Sequence, residues 1–191
     1  RDIAALMETG VPIDGEAGVG YRIHPDFDLP PIMFSHTEIE ALVMGARFVE
    51  SWGGPGLAQG ARSALAKIAA ALPKDKRATL ESSRLFAPGF RVDPALGERL
   101  ESLRIAIREL RLAAIDYRDE VGRETQRRLR PLGLFFWGER WSVIGWCELR
   151  DDFRNFRLDR ITKLETLVER FRNEPGRNLE DYFRRARVER D

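Results

Sequence analysis

Apolar positions recur at helical intervals through the first half of the chain and fall into short alternating runs after Leu110. Ile3, Leu6 and Met7 share a helical face in residues 1–9, and Gly10 is placed to end that helix. Two short apolar runs, Val11–Ile13 and Val19–Ile23, flank a turn at Asp14–Gly18 and predict a β-hairpin. A hairpin of that size needs helices to pack on. After a Pro-rich connector, Ser35 and Glu38 have capping-box spacing. Ile39, Leu42, Val43, Ala46 and Val49 follow as one helical stripe, expected to stop near Trp52-Gly53-Gly54-Pro55. An Ala-rich helix over Leu57–Leu72 closes at Pro73, and residues 74–83 have weak helical character. Asp93 as cap and Pro94 as first residue open a further helix, with Leu96, Leu100, Leu103, Ile107 and Leu110 on its apolar face.

The second half reads as strands: Leu112–Tyr117, Glu124–Pro131, Leu132–Trp137, Arg140–Leu149 and Phe153–Ile161. Leu164–Phe171 suits a strand or, by its three-residue intervals, a helix; Asn178–Arg187 reads as a short charged helix. Short strands joined by tight turns predict a small closed barrel, which leaves no exposed edges. The fold class is α+β, divided as a hairpin segment (1–24), a helical linker (25–110) and a barrel with a C-terminal helix (111–191).

Composition narrows the function. The chain has 191 residues, 32 basic against 31 acidic, and only four lysines (Lys67, Lys74, Lys76, Lys163), which leaves 28 arginines. A net charge of +1 argues against a uniformly basic nucleic-acid binder and leaves room for a local basic patch. Arginine suits phosphate recognition, since its fork matches phosphate oxygens; genome composition explains the same bias. Apolar runs are too short for a transmembrane helix, and no signal segment opens the chain. The lone Cys147 excludes an internal disulfide and fits a reducing cytosol. The chain opens on Arg1 rather than Met and reads as a piece of a longer protein.

Catalytic patterns are absent. Cys147 lies in an apolar strand without a neighbouring His, and His24 and His36 lack metal-ligand spacing. Gly15, Gly18 and Gly20 fall in a hairpin, outside the strand–turn–helix context of a dinucleotide site. The expectation is a protein that is not an enzyme, with no cofactor and no metal.

Two segments carry a family pattern. Arg1-Asp2-Ile3-x-x-Leu6 through Gly10-Val11-Pro12-Ile13, with Gly18-Val19-Gly20-Tyr21-Arg22-Ile23, resembles the recognition-helix tail and wing of a winged helix-turn-helix. Arg130-Pro131-Leu132-Gly133, then Trp141-Ser142-Val143-Ile144-Gly145-Trp146-Cys147, then Phe153–Ile161 resembles the WYL-domain transcriptional regulators of bacteria, in particular the YafY-like branch. Ser142 and Val143 stand where the family's naming triplet has Tyr and Leu. The resemblance implies a homodimeric regulator of duplex operator DNA whose Sm/SH3-like WYL barrel senses a ligand, in some relatives single-stranded DNA or a nucleotide. It assigns DNA contact to Arg1, Tyr21 and Arg22. Base readout comes mainly from the start of a recognition helix, which these residues lack, so the fragment is expected to bind operator DNA poorly.

The residues alone support a weaker version. Alternation over Phe153–Ile161 puts Arg154, Phe156, Leu158 and Arg160 on one face, with Arg157 on the other. Arginines among apolar groups need partners, and an anionic ligand supplies charge-assisted bonds. Arg118 and Arg130 extend this patch, Ser142 joins it, and Tyr117 and Trp141 offer stacking faces. Trp137 and Trp146 are expected in the core. The opposing expectation is that nearby carboxylates, Asp159 among them, already satisfy these arginines. Other readings are a non-sensing single-stranded nucleic-acid-binding barrel and a protein-interaction scaffold.

Overall fold

The computed structural model describes residues 13–16, 18, 20–23, 34–89, 93–138 and 140–188. The hairpin is present as β1 (Ile13–Glu16) and β2 (Gly20–Ile23), antiparallel, with Gly15 opposite Tyr21. Its first strand is displaced into the expected turn, and Gly18 is in a turn between the two strands. The expected helix over 1–9 and the remainder of the winged-helix segment lie outside the described residues.

Helix α1 (His36–Trp52) starts at the expected capping box. Glu38 N–H donates to the Ser35 hydroxyl at 3.3 Å, and Ser35 N–H donates to the Glu38 carboxylate at 2.7 Å. Helix α2 (Gly54–Ala71) follows after a single residue. Gly54 has φ +78, and a Cβ there would lie 2.8 Å from the Gly97 carbonyl oxygen. This glycine contact lets α2 approach α4 (Pro94–Arg108), which opens on Asp93 and Pro94 as expected. Between them the weakly helical stretch forms α3 (Lys74–Ser82), whose Leu80 completes a small core with Ile39, Val43 and Leu72. Among the described residues no helix is long and apolar enough to cross a membrane.

Five antiparallel strands make the second unit: β3 (Arg111–Arg118), β4 (Glu124–Phe136), β5 (Trp141–Cys147), β6 (Asp152–Arg157) and β7 (Ile161–Arg170), in the order β6-β5-β4-β3-β7. The two runs expected on either side of Pro131 are one strand. Its pairing with β5 shifts between Pro131 and Gly133, where a proline without an N–H cannot continue the ladder. The expected closed barrel is not formed: among the described residues no ladder joins β6 to β7. Instead one turn of 3-10 helix, Leu158–Arg160, carries the chain from one edge of the sheet to the other.

That turn also corrects the expected strand over Phe153–Ile161. The strand stops at Arg157, and the three-residue period of the 3-10 turn directs both Leu158 and Ile161 inward. They join Leu100 and Leu103 of α4 and Ala113, Ile115, Leu129, Val143, Cys147 and Phe156 in one core. Helix α4 thus packs into the sheet. The last element, α5 (Leu179–Val188), lays Tyr182 and Phe183 against Phe135 of β4.

Candidate functional site

The sheet collects three of the sequence-derived site residues at one corner. Tyr117, near the end of β3, stands edge-on to Phe156 with ring centroids 5.0 Å apart. It is paired in register with Ile161, next to the 3-10 turn that carries Arg160. Arg160 donates to Glu120 at 2.9 Å, and Arg157 grips Asp159 with two bonds of 3.0 and 2.5 Å. Both guanidiniums are held even more firmly charged than usual, Arg160 by Glu120 and then Tyr117, Arg157 mainly by Asp159. Reciprocally, the Arg157 hydrogen bonds keep the Asp159 carboxyl below its ordinary range.

A fourth expected residue, Ser142, is the cross-strand partner of Arg157. It is buried and accepts a 2.9 Å hydrogen bond from the Trp137 indole. Trp137 was expected in the core, but its place at the end of β4 leaves it 58% exposed, stacked on Phe135 at 6.1 Å. Trp146 is buried as expected, with Arg177 over its ring.

The other expected residues lie apart from this corner. Trp141 is a joint between the sheet and α1. Its indole donates to the Trp52 carbonyl at 2.9 Å, and its ring lies 5.2 Å from Phe136, which also meets Phe48 and Trp52. Arg118, beside Tyr117 on the strand and so on the opposite sheet face, pairs with Glu124 at 2.7 Å. Arg130 reaches Glu174 at 3.2 Å, beside the segment leading to α5. Arg154 and Arg160 do not share one strand face, because the strand ends between them; Arg154 pairs with Asp152 at 3.4 Å. Of the residues assigned to duplex DNA, Arg1 lies outside the described residues, Arg22 stands on β2, and Tyr21 is 45% exposed.

A second concavity, about 510 Å³, lies over β3, β4 and β7 and mixes Arg127, Arg128 and Lys163 with Asp116, Glu148 and Glu165. Its charges alternate in sign, and Arg128 is committed to Glu148 and Glu169. The corner of Tyr117, Arg157 and Arg160 also pairs its two arginines with carboxylates, Asp159 and Glu120, and adds an aromatic ring beside them.

The chain is similar to the proteasome accessory factor B/C (PafBC) of Arthrobacter aurescens, at 23% identity and a TM-score of 0.41. That match covers 83% of this chain and 24% of the other, so the chain corresponds to about a quarter of that protein's length. Residues 98–166, from α4 into β7, match the family model of the WYL domain, and the chain therefore carries a WYL domain.

Proposed function

We propose that this chain is the sensing part of a DNA-binding transcriptional regulator of the YafY-like kind, and that its WYL sheet takes an anionic ligand, a nucleotide or single-stranded nucleic acid, at the Tyr117–Arg157–Arg160 corner. In this reading residues 1–24 end a winged helix, the whole protein is a cytoplasmic homodimer on duplex operator DNA, and the chain binds rather than catalyses.

One observation carries the reading. The two guanidiniums are anchored by carboxylates that themselves face water: the side chains of Glu120 and Asp159 are 77% and 47% exposed, while those of Arg160 and Arg157 are 24% and 28% exposed. Exposed ion pairs contribute only about 0–1 kcal/mol. A phosphate group replaces such a carboxylate at small cost and gains charge-assisted, bidentate bonds to both arginines. The Trp141–Trp52 bond supports the output. It ties β5, which pairs with β6 beside the corner, to the last turn of α1, so a shift of the sheet edge is felt in the helices. Such a response is allosteric only if ligand and operator alter each other's affinity reciprocally.

The test is direct titration of a 5′-phosphorylated oligothymidylate against wild type, Arg157→Ala and Arg160→Ala. Each substitution is expected to weaken binding about tenfold, the loss of one charge-assisted contact, and to flatten its salt dependence. Unchanged affinity in both variants would refute the corner as the site. A non-sensing binder would lose strand affinity in the same variants while operator binding by the whole regulator stayed indifferent to the ligand.

A further inference from the structure

Trp137 is the largest side chain at the rim that the core does not account for. It closes the β4–β5 hairpin, where its N–H donates to the Arg140 carbonyl at 2.9 Å and Gly138 has φ +89. Its indole is fixed at two places, by the bond to the buried Ser142 hydroxyl and by the near-parallel stack on Phe135, with 16° between the rings. The remaining surface, 58% of the residue, faces water. Tryptophan is highly buried on average, and here a buried hydrogen-bond acceptor holds a largely exposed tryptophan in a single orientation.

The surroundings define what suits that face. Ser142 is directly opposite Arg157 in the β5–β6 ladder, so Arg157 leaves the sheet on the face that carries Ser142, the residue that holds the indole. Arg140, exposed at the base of the hairpin, makes no ion pair among the described residues. Phe183, 43% exposed and 5.9 Å from Phe135, extends the aromatic surface, and Arg187 lies one helical turn beyond it on the same face of α5. A flat indole held in one orientation, with arginines on the neighbouring strand, hairpin and helix, fits a ligand that is both planar and anionic. Cations supplied by three separate elements suit a strand rather than a single nucleotide.

We infer that Trp137 is a stacking platform for an unpaired base of a single-stranded nucleic acid whose backbone phosphates are met by Arg157, Arg140 and Arg187. The inference rests on the reading of the corner as an anion site and adds the base contact to it. Base stacking on an aromatic side chain corresponds to roughly a 5- to 150-fold change in affinity.

The experiment compares a labelled oligothymidylate with the same oligomer made abasic throughout, so that backbone charge is equal and only the bases differ. Wild type should prefer the base-bearing strand. Trp137→Ala should lose that preference, weakening oligothymidylate binding about 5- to 150-fold and leaving the abasic strand unaffected. Trp137→Phe should keep most of the preference, and Arg157→Ala should weaken both strands alike. If wild type binds both strands equally, or if Trp137→Ala binds oligothymidylate as wild type does, the platform is refuted; an Arg157→Ala loss in the same assay then leaves the anion site standing. If wild type binds neither strand, both the platform and the nucleic-acid reading of the corner fall.

Discussion

The two halves of this molecule bury their apolar residues in different ways. The sheet and α4 close over ten buried side chains, from Leu100 and Leu103 to Leu158 and Ile161, several with no accessible surface. Helices α1–α3 share three, Ile39, Val43 and Leu72, and leave Leu42, Met44 and Leu57 more than a third exposed. Between α1 and α2 an apolar groove lined by Leu42, Ala46, Val49, Ala64, Leu65 and Ile68 stays open. The sheet with α4 is the better-packed scaffold. Helices α1–α3 have little core of their own and lean on it through the aromatic joint of Phe48, Trp52, Phe136 and Trp141. Regions with few buried contacts open first and are the natural moving parts of a switch.

The largest effects should separate the halves. Leu103→Ala removes a fully buried side chain shared by α4 and the sheet. It should cost about 2–5 kcal/mol and weaken the whole sheet unit in denaturant unfolding. Ile39→Ala, at 1% exposure in the smaller core, should cost a comparable amount locally. Amide exchange should then rise across α1–α3 while β3–β7 stay protected. Loss of protection in the sheet on Ile39→Ala would show one cooperative unit instead of two.

A smaller effect is expected at the joint. Trp141→Phe keeps an aromatic ring but deletes the donor to the Trp52 carbonyl. The cost should be about 0.5–1.5 kcal/mol, read as faster exchange in the last turn of α1 with the sheet core unchanged.

The smallest effect is a pH dependence confined to the helices. Glu38 is held below the ordinary carboxylate value, first by the Ser35 backbone N–H and then by its hydroxyl. A lowered folded-state value means that the cap's contribution is complete above the ordinary carboxylate range and is lost as pH falls through the lowered one. Circular dichroism should show a slight decline of helix in acid, and Glu38→Gln should remove that decline's dependence on this carboxyl.

Much of this architecture is legible in the residues. Ser35 with Glu38 and Asp93 with Pro94 mark their helix starts because capping is local chemistry. The arginine corner is legible only in part. Alternation through Phe153–Ile161 assigns Arg154 and Arg160 to one face, but Leu158 and Ile161 are three apart and both point inward, the spacing of a 3-10 turn. That spacing ends the strand at Arg157 and separates the two arginines. The joining of two runs at Pro131 depends on a shift in pairing with β5, which no local pattern encodes. Trp137 and Trp141 differ in fate because one ends β4 at a hairpin and the other meets α1, a distinction set by long-range packing. Gly138 marks the close of the strand that ends beside Trp137, but a turn residue does not fix whether the indole before it is buried.

The central claim is that an anion bound at the Arg157–Arg160 corner is felt in α1 through Trp141. Hydrogen exchange of residues 36–52, with and without saturating 5′-phosphorylated oligothymidylate, tests it most directly. The account predicts a ligand-dependent change in exchange at the Trp52 end of α1 in wild type that disappears in Trp141→Phe, although the variant still binds the ligand. Binding that alters exchange only within the sheet, with α1 unaffected in wild type, would contradict it.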